Sequence, residues 1–381
     1  LAAAGGKRAG LYTSPHLVSV TERLRVGLDD VTPGTLDAVL HEVFAAAAHA
    51  PEVALTYFEA ATAAAFLLFR QAGVDLAVLE VGLGGRFDAT NVAPATLSIV
   101  TSIALDHTAE LGETLPQIAG EKAGIFRRGC PALVRADDLE ALAILAGAAR
   151  DAGARFHDAA RELSVEDLAV TLDGTAFELE TPERRLALWT PLPGEHQAWN
   201  AALAVRGAEL LPLAFGELDA AAVARGIAGV RWPGRIERLR GPGGRLVLLD
   251  GCHNPDGARA LGRFLDDAGI TGRCDLVFGA MADKDVEGIA AALFPKVDSV
   301  VLVGAAPPRG ASPEELLRRV GSRARRVRTA PDAAAGIALL CAEDDASRAP
   351  IIVAGSLYLV GEARAALLPG GEDRRSATPG A

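Results

Sequence analysis

VLEVGLGGRFDATN, Val78 to Asn91, is an apolar run that breaks into a glycine loop and then an acidic, polar turn. The apolar stretch Leu76 to Val81 predicts a buried strand, and Gly82, Gly84 and Gly85 remove the Cβ atoms that would hold a ligand away from the backbone behind it. Ligands of open parallel sheets gather beyond the carboxyl ends of the strands. Glu80 falls near such an end. A carboxylate buried in an apolar strand is costly unless a cation or hydrogen-bond donors compensate it, so Glu80 is a candidate for binding a metal or handling a proton.

A second stretch answers the first. After the apolar run Thr96 to Ile103 comes ALDHTAELG, which places Asp106 and His107 just past another strand end, and Lys122 follows in GEKAGIF. Two strands that end in an acid and a histidine point to one shared site. Helical patterns over Thr35 to Ala50 and Phe58 to Ala72, the second closed by Gly73, alternate with these strands, as in a doubly wound α/β sheet. LAAAGGKRAG at the start reads as a last helical turn, a glycine stop and the strand of Leu11 and Tyr12.

With 381 residues the chain is long enough for two or three domains. Half of the residues are hydrophobic and only 5% aromatic, so the core is built from Ala, Leu and Val. No apolar run reaches the roughly 20 residues that span a bilayer, and nothing at the start resembles a signal peptide, which predicts a soluble, cytoplasmic protein with no membrane partner. The formal charge of −11 argues against nucleic acid as a partner. Cys130, Cys252, Cys274 and Cys341 form no CxxC pair, so neither a zinc site nor a disulfide framework is expected.

Beyond Lys122 the pattern predicts a strand at Pro131 to Arg135 and a helix over Asp138 to Ala152. Short alternating runs at Leu168 to Leu172, Ala176 to Leu179 and Arg185 to Trp189 predict a small antiparallel segment, and a helix begins in LPGEHQAWNAALAV, Leu192 to Val205. VRWP, Val230 to Pro233, stops regular structure and divides the chain into a first domain, 1–229, a linker, 230–233, and a second domain, 234–368. The second opens with GRIERL. Its predicted strands are Leu246 to Asp250, Cys274 to Gly279, Ser299 to Val303 and Ile351 to Ala354; helices lie near Pro255 to Ala268, Val286 to Leu293, Pro313 to Val320 and Asp332 to Ala342. The polar tail 369–381 is expected to be disordered. In DGCHNP, Asp250 and His253 stand at a strand-to-helix turn, where they suit ribose and phosphate oxygens; equally, Asp250 can cap the turn and Asn254 the helix.

GLYTSPHL at Gly10 to Leu17, EVGLGGRFDATN, LDHTAELGETLPQIAGEKAGI and DGCHNPDGA at Asp250 to Ala258 together resemble the bifunctional folylpolyglutamate synthase/dihydrofolate synthase group of the Mur ligase superfamily, with the motifs in the same order over nearly the whole chain. The resemblance implies a Mur-ligase-like α/β fold: a P-loop-type, doubly wound ATPase domain followed by a smaller Rossmann-like domain. It implies ATP-dependent ligation of L-glutamate to dihydropteroate or a reduced folate through an acyl phosphate, by a monomer. It implies that Ser14, Glu80 and His107 hold magnesium, that Lys122 is carried as a carbamate facing a second magnesium ion, and that Thr56, Tyr57, Phe58, Glu59, Phe87, Asp88 and Ala89 border the pterin. Asn200, Arg235, Asp250 and His253 would approach the nucleotide at a cleft whose hinge lies around Arg231 to Gly234. Cys252 stands where the family usually has alanine.

The family also carries a phosphate-binding loop upstream of the first helix. No G-x-x-x-x-G-K-[ST] occurs in this sequence and its first residue is leucine, so the first domain is expected to be truncated at its start. Two other readings follow: a catalytically silent folate- or partner-binding fragment, or a Mur-type ligase of cell-wall precursors. TSPHL and DATN favour folate over the latter.

Overall fold

The computed structural model describes residues 1–49, 54–216, 218–305, 309–342 and 349–368. The tail 369–381 and Ala50, the expected end of the first helix, lie outside them. Two compact units form: Leu1–Ala169 with Thr175–Pro191 and His196–Val230, and Arg231 onward with Val170–Gly174 and Leu192–Glu195.

In the first unit, β1 (Ala9–Tyr12), β2 (Leu24–Val26), β3 (Asp29–Asp30) and β4 (Leu76–Leu79) make a sheet in the order β3-β2-β1-β4, with β1 and β4 parallel and Leu11 opposite Val78. Two helices cover it. In α1 (Pro33–Ala47) Thr32 caps the N-terminus, and α2 (Tyr57–Ala72) runs from a Thr56/Glu59 capping box to a left-handed Gly73 at φ 60°. Ala61, Ala64, Ala65, Leu68 and Phe69 of α2 recur at helical spacing and bury against Tyr12, Leu24, Leu36 and Val39. The strand expected over Leu76 to Val81 is shorter and half open. Among the described residues β4 pairs with β1 alone, and Val78 stays 45% exposed.

A parallel three-stranded sheet follows: β5 (Ser98–Val100), β6 (Pro131–Val134) and β7 (Arg155–Asp158), with β6 central and wholly buried. Between β5 and β6 lie α3 (Thr108–Leu111) and α4 (Leu115–Lys122); α5 (Leu139–Ala152), capped by Asp138, crosses from β6 to β7. After the short α6 (Ala159–Glu162) come the antiparallel β8 (Ser164–Thr171), β9 (Gly174–Glu180) and β10 (Arg185–Thr190). The inward faces of β9 and β10 pack against Ala198, Ala202 and Leu203 of α7 (Glu195–Leu210).

The second unit is one six-stranded sheet: β11 (Arg235–Arg240), β12 (Leu246–Asp250), β13 (Asp275–Phe278), β14 (Ser299–Val303), β15 (Val327–Ala330) and β16 (Ile351–Ala354), in the order β11-β12-β16-β13-β14-β15. Only β11 is antiparallel to its neighbour. Every residue of β13, β14 and β16 is buried, as the continuous apolar runs require in a sheet covered on both faces. Three elements escape the sequence reading: the antiparallel edge strand β11, the polar edge strand β15, VRTA, and the helix Leu357–Leu367.

Candidate active site

The glycine loop is braced from within and behind. Asp88 Oδ2 accepts from the backbone N–H groups of Gly82 (3.0 Å) and Leu83 (2.9 Å), and its Oδ1 accepts from Thr90 N (2.9 Å) and the Thr90 hydroxyl (2.5 Å). A Cβ at Gly82 would lie 2.4 Å from the Phe58 ring, so only glycine allows the loop to rest on α2. Arg86 N donates to Glu121 O (3.0 Å) and its guanidinium to Gly120 O (3.2 Å), which ties the loop to the last turn of α4. Asn91 Nδ2 donates to Arg86 O and Gly124 O, while Arg127 Nη2 donates to Asn91 O (2.7 Å) and Oδ1 (2.5 Å). Loop and lysine helix are thereby one body.

At the front of that body, Gly82, Gly84, Asp106, His107, Ile118 and Lys122 line a cavity of about 120 Å³. His107 has a left-handed backbone, φ 50°, that is uncommon for a residue with a Cβ, and Asp106 Oδ1 accepts its N–H at 2.9 Å. Burial lowers the Lys122 amine below its ordinary pKa, and the negative charge of Asp106 pulls partly the other way. Asp106 was legible as a neighbour of His107, but its position facing Lys122 had no signal in the sequence.

Glu80 sits one residue beyond β4 and is exposed, not buried as the apolar run suggested. Its N–H donates to Tyr12 O (2.9 Å), and Ser14 N donates to Glu80 Oε2 (2.8 Å), so the ends of β1 and β4 bring the two candidate ligands together. The Ser14–Pro15 peptide is cis. Behind this turn, Arg23 Nε donates to His16 Nδ1 (2.9 Å), Arg23 Cζ lies 5.2 Å over the Tyr57 ring, and the fully buried Tyr12 hydroxyl meets the Thr62 hydroxyl at 3.2 Å. Burial and the adjacent Arg23 charge lower the His16 pKa, which favours a neutral imidazole that accepts at Nδ1. Neither Arg23 nor Arg127 stood out in the sequence, because isolated arginines carry no spacing signal.

The residues expected around the pterin divide in two. Thr56 and Glu59 are consumed by the capping box, with Thr56 N donating to Glu59 Oε2 (2.8 Å), and Asp88 is occupied by the loop. Phe58 is wedged against Gly82 and lies 5.9 Å from the Tyr12 ring. Tyr57, 60% exposed, and Phe87, 89% exposed, present open aromatic faces, with Ala89 in the 3₁₀ turn after Asp88.

The nucleotide candidates fall in both units. Asn200 of α7 donates to Gln197 Oε1 at 3.2 Å. In the second unit Asp250 is buried, and its two oxygens accept from Ile236 N (3.2 Å) and Cys252 N (3.0 Å). A Cβ on Gly251 would lie 2.6 Å from Arg235 Nη1, so the guanidinium crosses directly over that glycine. His253 Nδ1 donates to Gly251 O (3.0 Å), and Asn254 caps the helix Pro255–Asp267 through Gly257 N (2.8 Å). Burial, with Asp250 beside it, pushes the Cys252 thiol well up, so this cysteine stays a neutral packing group.

Among the described residues no three His, Cys, Asp or Glu side chains are grouped to hold a metal ion by themselves. That suits magnesium, which takes one or two carboxylates and completes its shell with water and substrate phosphates. Glu80 beside Ser14 is a donor set of that hard-oxygen kind. No described helix is long and apolar enough to cross a membrane.

Residues 30–208 match the Mur ligase middle domain, and residues 234–357 the Mur ligase glutamate ligase domain. The chain is 36% identical to the dihydrofolate synthase/folylpolyglutamate synthase of Mycobacterium tuberculosis, over 94% of this chain and 80% of that one. The structure of Mycobacterium tuberculosis folylpolyglutamate synthase complexed with ADP superposes with a TM-score of 0.89 at 35% identity, covering 97% of this chain and 86% of the other. A bifunctional folylpolyglutamate synthase/dihydrofolate synthase structure with Mn, AMPPNP and L-glutamate bound has a TM-score of 0.81 at 33% identity, with coverage of 96% and 84%.

Proposed function

The chain belongs to the folylpolyglutamate synthase/dihydrofolate synthase family of ATP-dependent Mur ligases, and from that premise we propose which residues carry its ligation of L-glutamate to dihydropteroate or a reduced folate. The acceptor carboxylate takes the γ-phosphoryl group of ATP, and the glutamate amine then attacks the acyl carbon and releases phosphate. Ser14, Glu80 and His107 hold magnesium, which neutralises charge on the transferring phosphoryl group. Such a transfer needs alignment more than covalent help from the protein.

Lys122 acts as a carbamate. Its amine is partly desolvated and holds its proton less tightly than usual, so the free amine is available to attack carbon dioxide, lose a proton and become an anion. That anion would hold a second magnesium ion, which the bare ammonium would repel. Tyr57 and Phe87 offer their exposed faces to the pterin. Asp88 acts at one remove, by holding Gly82 and Leu83. In the second unit Arg235 and His253 contact the nucleotide, and Asp250 acts at one remove by holding Ile236 N and Cys252 N. Asn200 is the nucleotide candidate of the first unit, and the enzyme works as a monomer in the cytoplasm.

The observation that carries this reading is the meeting of Asp106, His107 and Lys122 on one glycine-walled cavity, beside the Ser14–Glu80 contact. Its test is glutamate-dependent ADP release with dihydropteroate and with tetrahydrofolate as acceptors. Glu80→Ala should lose activity by on the order of a hundredfold or more, as removal of a charge-stabilising group does. Silence of the folded protein with both acceptors would overturn the reading.

A further inference from the structure

Arg23 is only 8% exposed, yet no carboxylate of the described residues pairs with it, and the bond from Nε to His16 is its side chain's one hydrogen bond among them. A guanidinium does not shed its proton, so it cannot escape burial by becoming neutral. The Tyr57 ring answers its charge but accepts no N–H in its plane. The neighbouring acid is already committed: Glu22 accepts from the backbone N–H groups of Leu17 (2.8 Å), Val18 (3.1 Å) and Ser19 (2.8 Å). No described side-chain polar atom that is sealed from solvent lacks a partner. Both Nη groups therefore keep an opening, through which a ligand oxygen can reach them.

We propose that Arg23 forms a carboxylate-binding site for a non-reacting carboxylate of the ligase substrates, an inference that rests on the ligase reading and adds a subsite to it. Two sources share that chemistry: the amino-acid substrate, whose carboxylates both survive in the product, and a glutamyl residue already present on a reduced-folate acceptor. The two Nη groups match a carboxylate in the paired geometry that arginine provides and lysine does not. His16 fixes the guanidinium from behind, and it lies two residues after Ser14, so one turn orients both the Glu80 neighbour and the carboxylate anchor.

Arg23→Met and Arg23→Lys in the whole protein test this. With dihydropteroate as acceptor, which carries no glutamyl tail, a rise of at least about tenfold in the KM for L-glutamate assigns the site to the amino acid, as expected where a ligand carboxylate loses its paired, charged donors. A rise confined to the KM for tetrahydrofolate, with dihydropteroate unchanged, assigns it to the tail. In either case the KM for ATP should stay within about twofold and the lysine variant should fall between wild type and methionine. The ligand-free melting temperature of Arg23→Met should hold or rise, because an unpaired buried charge has been removed. Unchanged KM values, or a fall in melting temperature with all KM values rising together, would overturn the proposal. Stabilisation of the wild type by glutarate, absent in Arg23→Met, needs no turnover. That arm tests the site even if the ligase reading fails.

Discussion

Leu76 to Val81 and Leu246 to Asp250 read alike in the sequence, and they end in opposite surroundings. β12 has β11 on one side and β16 on the other, and Val247, Leu248 and Leu249 are wholly buried. β4 pairs with β1 alone among the described residues and leaves Val78 half exposed. The acids at the two strand ends differ in the same way. Asp250 is closed over by two backbone N–H groups, whereas Glu80 is exposed and takes an N–H from Ser14. An apolar run thus predicts a strand, but the number of its neighbours decides whether the acid at its end is part of the scaffold or is presented outward.

The largest effect that would sharpen this contrast is a matched truncation. Leu248→Ala should cost about 3 kcal/mol, within the usual range for a leucine removed from a close-packed core. Val78→Ala should cost less than about 1 kcal/mol, because its side chain meets few neighbours. Urea denaturation of both variants measures the difference. Equal costs would mean that β4 is covered in the working protein, and the contrast would fall.

A smaller effect of opposite sign is expected at Lys122. Its folded pKa is lowered by burial, so the folded state binds its proton less well than the unfolded chain does. The resulting penalty is fully present below the folded pKa and is relieved as pH rises through it towards the ordinary lysine value. Lys122→Met should therefore melt a few degrees higher than wild type at neutral pH in bicarbonate-free buffer, with the gap closing as pH rises, while ligase activity is lost. A variant that melts lower than wild type at neutral pH would show that the ammonium is well paired, and would remove the physical reason for a reactive amine.

The parallel strands β12, β13, β14 and β16 of the second unit, and the helices between them, were legible because their signals are local. Caps such as Asp138 and Asn254, the stop at Gly73 and the unbroken apolar runs of β13, β14 and β16 need no knowledge of the partner. β15 was missed because an edge strand is not required to be apolar, and its VRTA holds an arginine. At the site, the motifs pointed to Glu80, His107 and Lys122, and the last two line one cavity. The burial expected for Glu80 was wrong, since it depended on whether a second strand lies beside β4, a fact no local pattern carries. Thr56, Glu59 and Asp88 show a related limit: composition marks them as polar groups near a ligand loop, and only coordinates reveal that their oxygens are spent on caps and turns. Arg23 and Arg127 depend on contacts distant in sequence or on what surrounds them, and were invisible for that reason.

The smallest effect lies on the outside of the sealed unit, where a strong-looking ion pair should contribute little. Arg319 Nε and Nη2 donate to the two oxygens of Glu287 at 2.7 and 2.8 Å, linking the helices Val286–Leu293 and Pro313–Val320 and holding the Glu287 carboxyl at about 2. Both side chains remain partly exposed, at 26% and 44%, so water screens the attraction and the pair should be worth at most about 1 kcal/mol. A lowered carboxylate pKa contributes stability above its ordinary value, and that contribution is lost as pH falls from about 4.5 towards about 2. Arg319→Ala should therefore differ slightly from wild type at neutral pH, and the gap should narrow through that acid window and also shrink in high salt. Denaturant titrations at pH 7 and pH 3 measure it. A large, salt-insensitive loss at neutral pH would place this pair with the buried scaffold of the second unit and redraw the line between its core and its surface.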